Sequence, residues 1–339
     1  MVLEYRIDTI ITFFNTNLGD LLNYPFDSSK RIFIGYLIGA VVLALPVYFA
    51  ATKADGIATR GIKGFTAFLL PKEVFLAASA KLDYQLFVLN KLIKAVLFAP
   101  LMLTMVPVAL SVSSALESLF GGALMLDVAP WLVMSLFTIL LFILDDFSRF
   151  LLHYLLHKVP WLWQFHKVHH SATVLTPFTI YRTHPVESYL YGCRMALSQG
   201  VVVGIGYAIF GPTLKMYDVL GANVFVFAFN VLGANLRHSH IWLSWGDKLE
   251  NWFISPAQHQ VHHSSAIEHR DTNLGSALAI WDRALGCLIK ASSVSKLTLG
   301  VGKFNGHNSL WGIYSDPFKQ IFSRCRQLIC RIWQRVHTP

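Results

Sequence analysis

Five stretches of this 339-residue chain run for 17 to 22 residues without a charged side chain, and no other feature constrains its fold as tightly. A bilayer's hydrocarbon core is about 30 Å thick, so roughly 20 apolar residues in a helix cross it. Backbone groups in lipid must also find their partners within the chain, which favours helices over open strands. The runs cover 32–52 and 95–116, of 21 and 22 residues, each sufficient for a span. Shorter runs follow at 128–144, 195–214 and 219–236, which read as one short span and a tight hairpin. Pro46, Pro100 and Pro107 fall inside the first two runs and are tolerable where neighbouring helices satisfy the freed backbone groups. Only 14% of residues are charged, against about 25% in an average soluble domain, which argues against an ordinary soluble enzyme. The four cysteines lack CxxC spacing and read as packing residues. No cleavable signal peptide is expected at the N-terminus.

Lysine and arginine set the expected orientation. Residues 53–94 carry seven of them and residues 117–127 none, so by the positive-inside rule the first segment is cytoplasmic and the second is outside. Threading onward puts 145–194, with five, and everything from Arg237 on, with twelve, on the cytoplasmic side. Residues 1–31 then fall outside; re-entry of the first or fifth run would reverse that end. The net charge of +9 is thus read as membrane topology and not as a nucleic-acid footprint. The tail interleaves Lys319, Arg324, Arg326, Arg331 and Arg335 with Phe322, Leu328, Ile332 and Trp333, as an interfacial helix would, or as a frayed basic tail.

Chemistry concentrates in histidine. Eight of the fourteen lie in three boxes: His153 and His157 as HxxxH, then His166, His169 and His170, and His259, His262 and His263, each as HxxHH. Spacings of three and four share a helix face, so each box is expected to aim its rings at a common point. Imidazole suits iron, zinc, copper and nickel, and eight clustered ligands exceed what one four- to six-coordinate ion uses, which implies two metals. Asp146 precedes His153 by two helical turns and could orient it by accepting its second N–H; a solvated acid at a helix end is the alternative. The helix of the third run is expected to continue to His157 and to break at Pro160. His238 and His240 lie two apart, so a helix would present only one of them to the metals.

These residues resemble a known family. The run from Asp146 through Arg149 to His153, then His157, then Leu162, Trp163, Gln164, Phe165 and His166 through Ser171, is similar to the fatty acid hydroxylase/sterol desaturase superfamily of membrane di-iron oxygenases. Arg182, His184, Pro185 and Glu187 match its RxHPxE segment, and Arg237-His238-Ser239-His240 its HSN-like element, with His240 where the family often has Asn. Ser255 through Ser264 resembles its last box, and Asp271 through Gly275 with Trp281 through Gly286 its closing motif. The resemblance implies an all-α fold: a multi-span transmembrane bundle with a cytoplasmic helical cap caging two irons in histidine, and O2-dependent hydroxylation or desaturation of a lipid. It divides the chain into an N-terminal membrane region with two spans (1–129), a catalytic domain (130–290) and a basic tail (291–339). The expected ligands are His153, His157, His166, His169, His170, His259, His262, His263 and one of His238 and His240. Asp146, His184 and Glu187 are expected behind them; His184 is read as a partner of Glu187 or Arg182, or as a satisfied core histidine.

With neither a GxGxxG after a strand nor an HPGG-type haem segment, the chain is expected to draw electrons from a cytochrome b5-like or ferredoxin-like partner. Competing readings are a zinc-dependent membrane hydrolase, which needs a catalytic carboxylate that no box supplies, and a histidine-rich transporter, whose sites sit at the midplane. His153 lies nine residues past the third run, on the order of 13 Å beyond it, so the metals are expected at headgroup level and the oxidised carbon near a lipid's polar end.

Overall fold

The structure, a computed structural model, describes residues 2–54, 61–98, 101–302 and 306–337; Pro100 lies outside them, as do the side chains of Ile332 and Arg335. Helices α1 (Val2–Asn23), α2 (Ile34–Ala54), α3 (Ile62–Leu69), α4 (Lys72–Phe75), α5 (Ala78–Ile93) and α6 (Met105–Phe120) form the N-terminal part. The long α7 (Pro130–Lys158) leads into α8 (Pro160–His170), and α9 (Pro185–Phe210) returns. A two-residue hairpin, β1 (Asp218–Val219) with β2 (Ala222–Asn223), precedes α10 (Val224–Val231); α11 (Gly246–Leu249), α12 (Pro256–His262), α13 (Ile280–Ala284) and α14 (Leu310–His337) complete the chain. The chain is thus mostly helical, and α2, α7 and α9 contain segments long and apolar enough to cross a membrane.

Charge-free runs and helices coincide only in part. The run at 95–116 does not form one span: its first residues continue a widened turn, Lys94–Phe98, and α6 starts only at Met105. Sixteen residues reach about 24 Å, short of the hydrocarbon core. Pro107 sits in its first turn, where its missing N–H leaves no intrahelical bond unmade. Helix α9 starts ten residues ahead of its charge-free run, because Glu187 and Arg194 are satisfied inside the protein: Glu187 accepts from His166, and Arg194 pairs with Asp145 at 2.9 Å.

The run at 219–236 does not form one spanning helix. Asn223 caps α10, accepting from Phe225 N at 3.0 Å, and the helix ends before Gly233, whose φ of 100° suits a residue with no side chain. Eight residues give about 12 Å of helix. The hairpin rests on the interior of α7, where Thr138 receives Tyr217 N and Asn223 Nδ2.

Residues 1–31 also depart from the expected sidedness. Lys91, assigned inside by the charge count, bonds Asp20, assigned outside, at 2.9 Å, and Tyr24 packs edge-on against Phe87. No bilayer fits between groups this close, so the two segments share a side.

Helix α6 lies along α9, where Gly200 and Gly204 allow close approach: a Cβ at Gly204 would stand 2.6 Å from Ala109 O. The α6–α7 connection closes the end remote from the histidines, with Leu124 N and Leu126 N bonding Ala208 O and Ile209 O. At the other end Arg182, fully buried, ties α5 to the end of α8 through Asp83 at 2.9 Å, Ser171 and Val168 O. Helix α14 docks its first turns there, with Ile313 against Leu86 and Val168, and then carries Phe322, Leu328 and Trp333 exposed. The cysteines form no disulfide; Cys330 is exposed and so is not a packing residue.

Candidate metal centre

Nine histidines from α7, α8, α12 and the 3-10 turn Ala234–His238 converge where the long helices meet the cap. They form two groups: His153, His157, His166, His170 and His262 in the first, and His169, His238, His259 and His263 in the second, with ligand atoms within 4.8 Å of one another in each. The groups share a wall, the His170 and His263 ring centroids being 4.9 Å apart.

The boxes do not each serve one point. His153 with His157 and His166 with His170, spaced by four, enter the first group; His259 with His263, also spaced by four, enters the second. The remaining member of each HxxHH crosses over, His169 to the second group and His262 to the first. At 100° per residue, positions i+3 and i+4 straddle position i and diverge from each other, so a box of three feeds two neighbouring points.

Outer nitrogens fix the tautomers. His153 Nδ1 meets Leu274 O at 2.7 Å, His262 Nδ1 meets Thr272 O at 2.9 Å and His169 Nδ1 meets Arg182 O at 3.3 Å. His166 Nδ1 and His157 Nδ1 meet the carboxylates of Glu187 at 2.9 Å and Asp271 at 3.1 Å. Carbonyl oxygens and ionised carboxylates only accept, so each of the five rings, when neutral and with Glu187 ionised, donates from Nδ1 and presents an Nε2 lone pair inward. Yet His153 Nε2 and His166 Nε2 stand 3.0 Å apart, and the buried Nε2 atoms of His157 and His262 have no partner. Facing lone pairs repel unless a cation lies among them, so the donor set fits a metal. Burial supports the neutral state: desolvation holds His166 and His169 near 3 and pushes His170, His238, His262 and His263 well below the usual histidine range. In the second group His259 differs, since Arg237 Nη2 donates to its Nδ1 at 3.0 Å and so disfavours an Nε2 lone pair.

The turn 271–275 supplies two of those carbonyls. Asp271 and Asn273 both adopt positive φ, 56° and 52°, a region that Asp and Asn enter more readily than other residues. Asp282 braces the turn by accepting Leu274 N and Gly275 N at 2.6 and 2.7 Å. Asp146 does not bond His153 as its spacing suggested; it accepts Ala277 N at 2.8 Å, Leu278 N and Trp281 Nε1, anchoring the segment that carries Leu274. Two helical turns put the residues on one face of α7, but donors of the following loop occupy the Asp146 carboxylate.

His240 stays outside both groups, bonding Phe68 O at 2.6 Å, while His238 is inside, resolving which of that pair joins the cluster. His184 caps α9, accepting from Val186 N at 3.1 Å and reaching Tyr314 O at 3.3 Å, and so takes the structural alternative. Residue reading assigned no orienting role to Asp271, Arg237 or the carbonyls of Arg182, Thr272 and Leu274. The closing motif's Asp271-Thr272-Asn273-Leu274 was the available signal for three of them.

Residues 138–287 match the model of the fatty acid hydroxylase family. The chain is 30% identical over 159 residues to an ornithine lipid hydroxylase of Rhizobium tropici, covering 47% of this chain and 44% of that one. It is 27% identical over 161 residues to a delta(7)-sterol 5(6)-desaturase of Eremothecium gossypii, covering 48% and 40%, and 30% identical over 173 residues to a cholesterol 25-hydroxylase of Homo sapiens, covering 50% and 58%. The chain thus spans roughly half the length of these relatives. No solved structure matches it.

Proposed function

We propose that this protein hydroxylates a membrane lipid near its polar end, using O2 at a di-iron centre, with desaturation as a variant outcome. The observation that carries the reading is the set of four tautomer-fixed rings, His153, His157, His166 and His262, whose lone pairs converge in the first group. The first group would hold one iron and the second the other, with His259 its weakest donor. Bound iron supplies the redox chemistry that activates dioxygen toward a C–H bond. The chain's own part is to hold the imidazoles neutral, to fix their direction through Glu187, Asp271 and the backbone carbonyls, and to keep water from the site by burial. Two electrons per turnover come from a cytochrome b5-like or ferredoxin-like partner. The cap faces the cytoplasm, where that partner is found, and α14 lies in the membrane interface through its basic and aromatic side chains.

Metal analysis of anaerobically purified protein tests the centre, with about two irons per chain expected from the two donor sets; zinc in their place would favour a hydrolase. Mass spectrometry of lipids from cells with and without the protein should show a gain of one oxygen that vanishes in His262→Ala. Cysteine labelling tests the sidedness: residues 117–127 should react from outside and 264–273 only from the cytoplasm.

A further inference from the structure

On the side of the cage facing the long helices lies a cavity of about 200 Å³, lined by rings of both histidine groups and by Arg31, Arg149 and Arg237. Past Arg149, Thr183 and Tyr191 it continues into a cleft of about 650 Å³, edged by Lys91, Lys94 and Arg194. The carboxylates nearby are already engaged: Asp145 by Arg149 and Arg194, Asp20 by Lys91, and Glu187 by His166. Among the described residues neither Arg31 nor Arg237 pairs with a carboxylate. Arg31 bonds the side-chain oxygen of Asn230, and Arg237 the carbonyls of Ser276 and Gly275, leaving a buried Nε with no partner. The Arg149 side chain, though paired with Asp145, is still 36% accessible, and it lines both spaces.

Cations set between a membrane and a metal cage cost several kcal/mol each unless paired. A neutral substrate would leave that cost standing. The planar guanidinium fork matches carboxylate and phosphate oxygens. Arg31 lies outside residues 138–287, so the N-terminal part of this chain contributes to the site beyond the family-matched domain.

We propose that this cavity is a headgroup site for a lipid bearing an anionic group, carboxylate or phosphate, which Arg31 holds beside the histidine cage. The proposal rests on the reading of the protein as a lipid-oxidising enzyme and names the kind of lipid. The oxidised carbon then lies within a few bonds of the anion, and the acyl chains leave through the larger cleft.

The test separates binding from turnover. Iron-loaded protein in nanodiscs, kept free of O2, is offered three lipids with identical acyl chains: a phosphatidate, an N-acyl amino acid with a free carboxylate, and a diacylglycerol. Native mass spectrometry reads the retained lipid. At least one anionic lipid should be retained about tenfold or more over the diacylglycerol, the size of a charge-assisted contact, and the stronger of the two identifies the anion. Arg31→Gln should lower that preference about tenfold, Arg31→Lys should restore part of it, and Lys63→Gln, on the exposed surface, should leave it unchanged. Equal retention of all three lipids by the wild-type protein, or an unchanged preference in Arg31→Gln, overturns the proposal. Admitting O2 and a reductant then tests the underlying reading separately. Anion-selective binding without oxidation would remove the enzymatic reading and leave the site, whereas oxidation without headgroup preference would do the reverse.

Discussion

The two histidine groups are adjacent and chemically alike, but their surroundings differ. In the first, four of the five rings have an acceptor on the outer nitrogen, and two of those acceptors are carboxylates, Glu187 and Asp271. In the second, His169 has a backbone carbonyl and His259 faces the Arg237 guanidinium. A carboxylate behind an imidazole makes it a stronger donor, and a cation makes it a weaker one. The first group also opens, through His157, His170 and His262, on a cavity of about 410 Å³ lined by Lys167, Arg270 and Asp271, whereas both groups border the arginine-lined space. The number of histidines does not rank the two groups; the atoms behind the rings do. The first group should bind its ion more tightly.

The largest effect should come from removing a ligand on either side. His262→Ala and His263→Ala should each lower activity by more than roughly 100-fold, beyond what loss of an outer-shell partner causes. Metal titration should show His262→Ala losing the tighter ion and His263→Ala the weaker; loss of the same ion in both would merge the two groups into one site.

Acid should act on both groups alike. His166 and His169 are held near 3 by desolvation, against an ordinary value of 6.5. Between those values the unfolded chain takes up protons that the folded chain refuses, so folding stability is complete above about pH 6.5 and falls as pH drops from there toward 3. Denaturation of metal-free protein followed by circular dichroism should show this slope, and a stability that rose on acidification through that window would contradict the buried neutral rings.

Glu187→Gln separates the groups. It removes the acid behind His166, and should weaken the tighter ion by roughly 10-fold, at the low end of outer-shell effects, while leaving the other ion unchanged. Isothermal titration of this variant and the wild type reads this directly. A smaller difference is expected within the second group, where His259→Ala should weaken metal binding less than His169→Ala does, since Arg237 already competes for its ring. The least effect belongs to His240→Ala: with its ring on Phe68 O, metal content should stay at the wild-type level by elemental analysis.

Helical arithmetic made much of this legible in the sequence. The continuation of the third run through His157, the break before Pro160 and the face-sharing of residues four apart follow from local backbone geometry alone, and all are present in α7, α8 and α12. The charge-free runs were less informative. Glu187 and Arg194 extend α9 because the protein satisfies them internally, and the last run forms no span because Asn223 and Gly233 bound its helix at eight residues. A hydropathy reading treats every charge as facing solvent and every apolar run as facing lipid, and neither assumption survives where the cap packs on the stem.

By itself the sequence determined that this chain is a helical membrane protein with clustered histidines, since uninterrupted apolar length and i, i+4 spacing act within one element. Only the tertiary structure decided which ring joins which group, that His238 enters and His240 does not, and that Asp146 braces a loop and does not touch His153. It also brought Arg31 to the cage from more than a hundred residues before the first box. The physical reason is common to all of these. A ring's direction and its proton are set by whatever accepts from its outer nitrogen, and here those acceptors, Leu274 O for His153 and Asp271 for His157, stand 121 and 114 residues away along the chain.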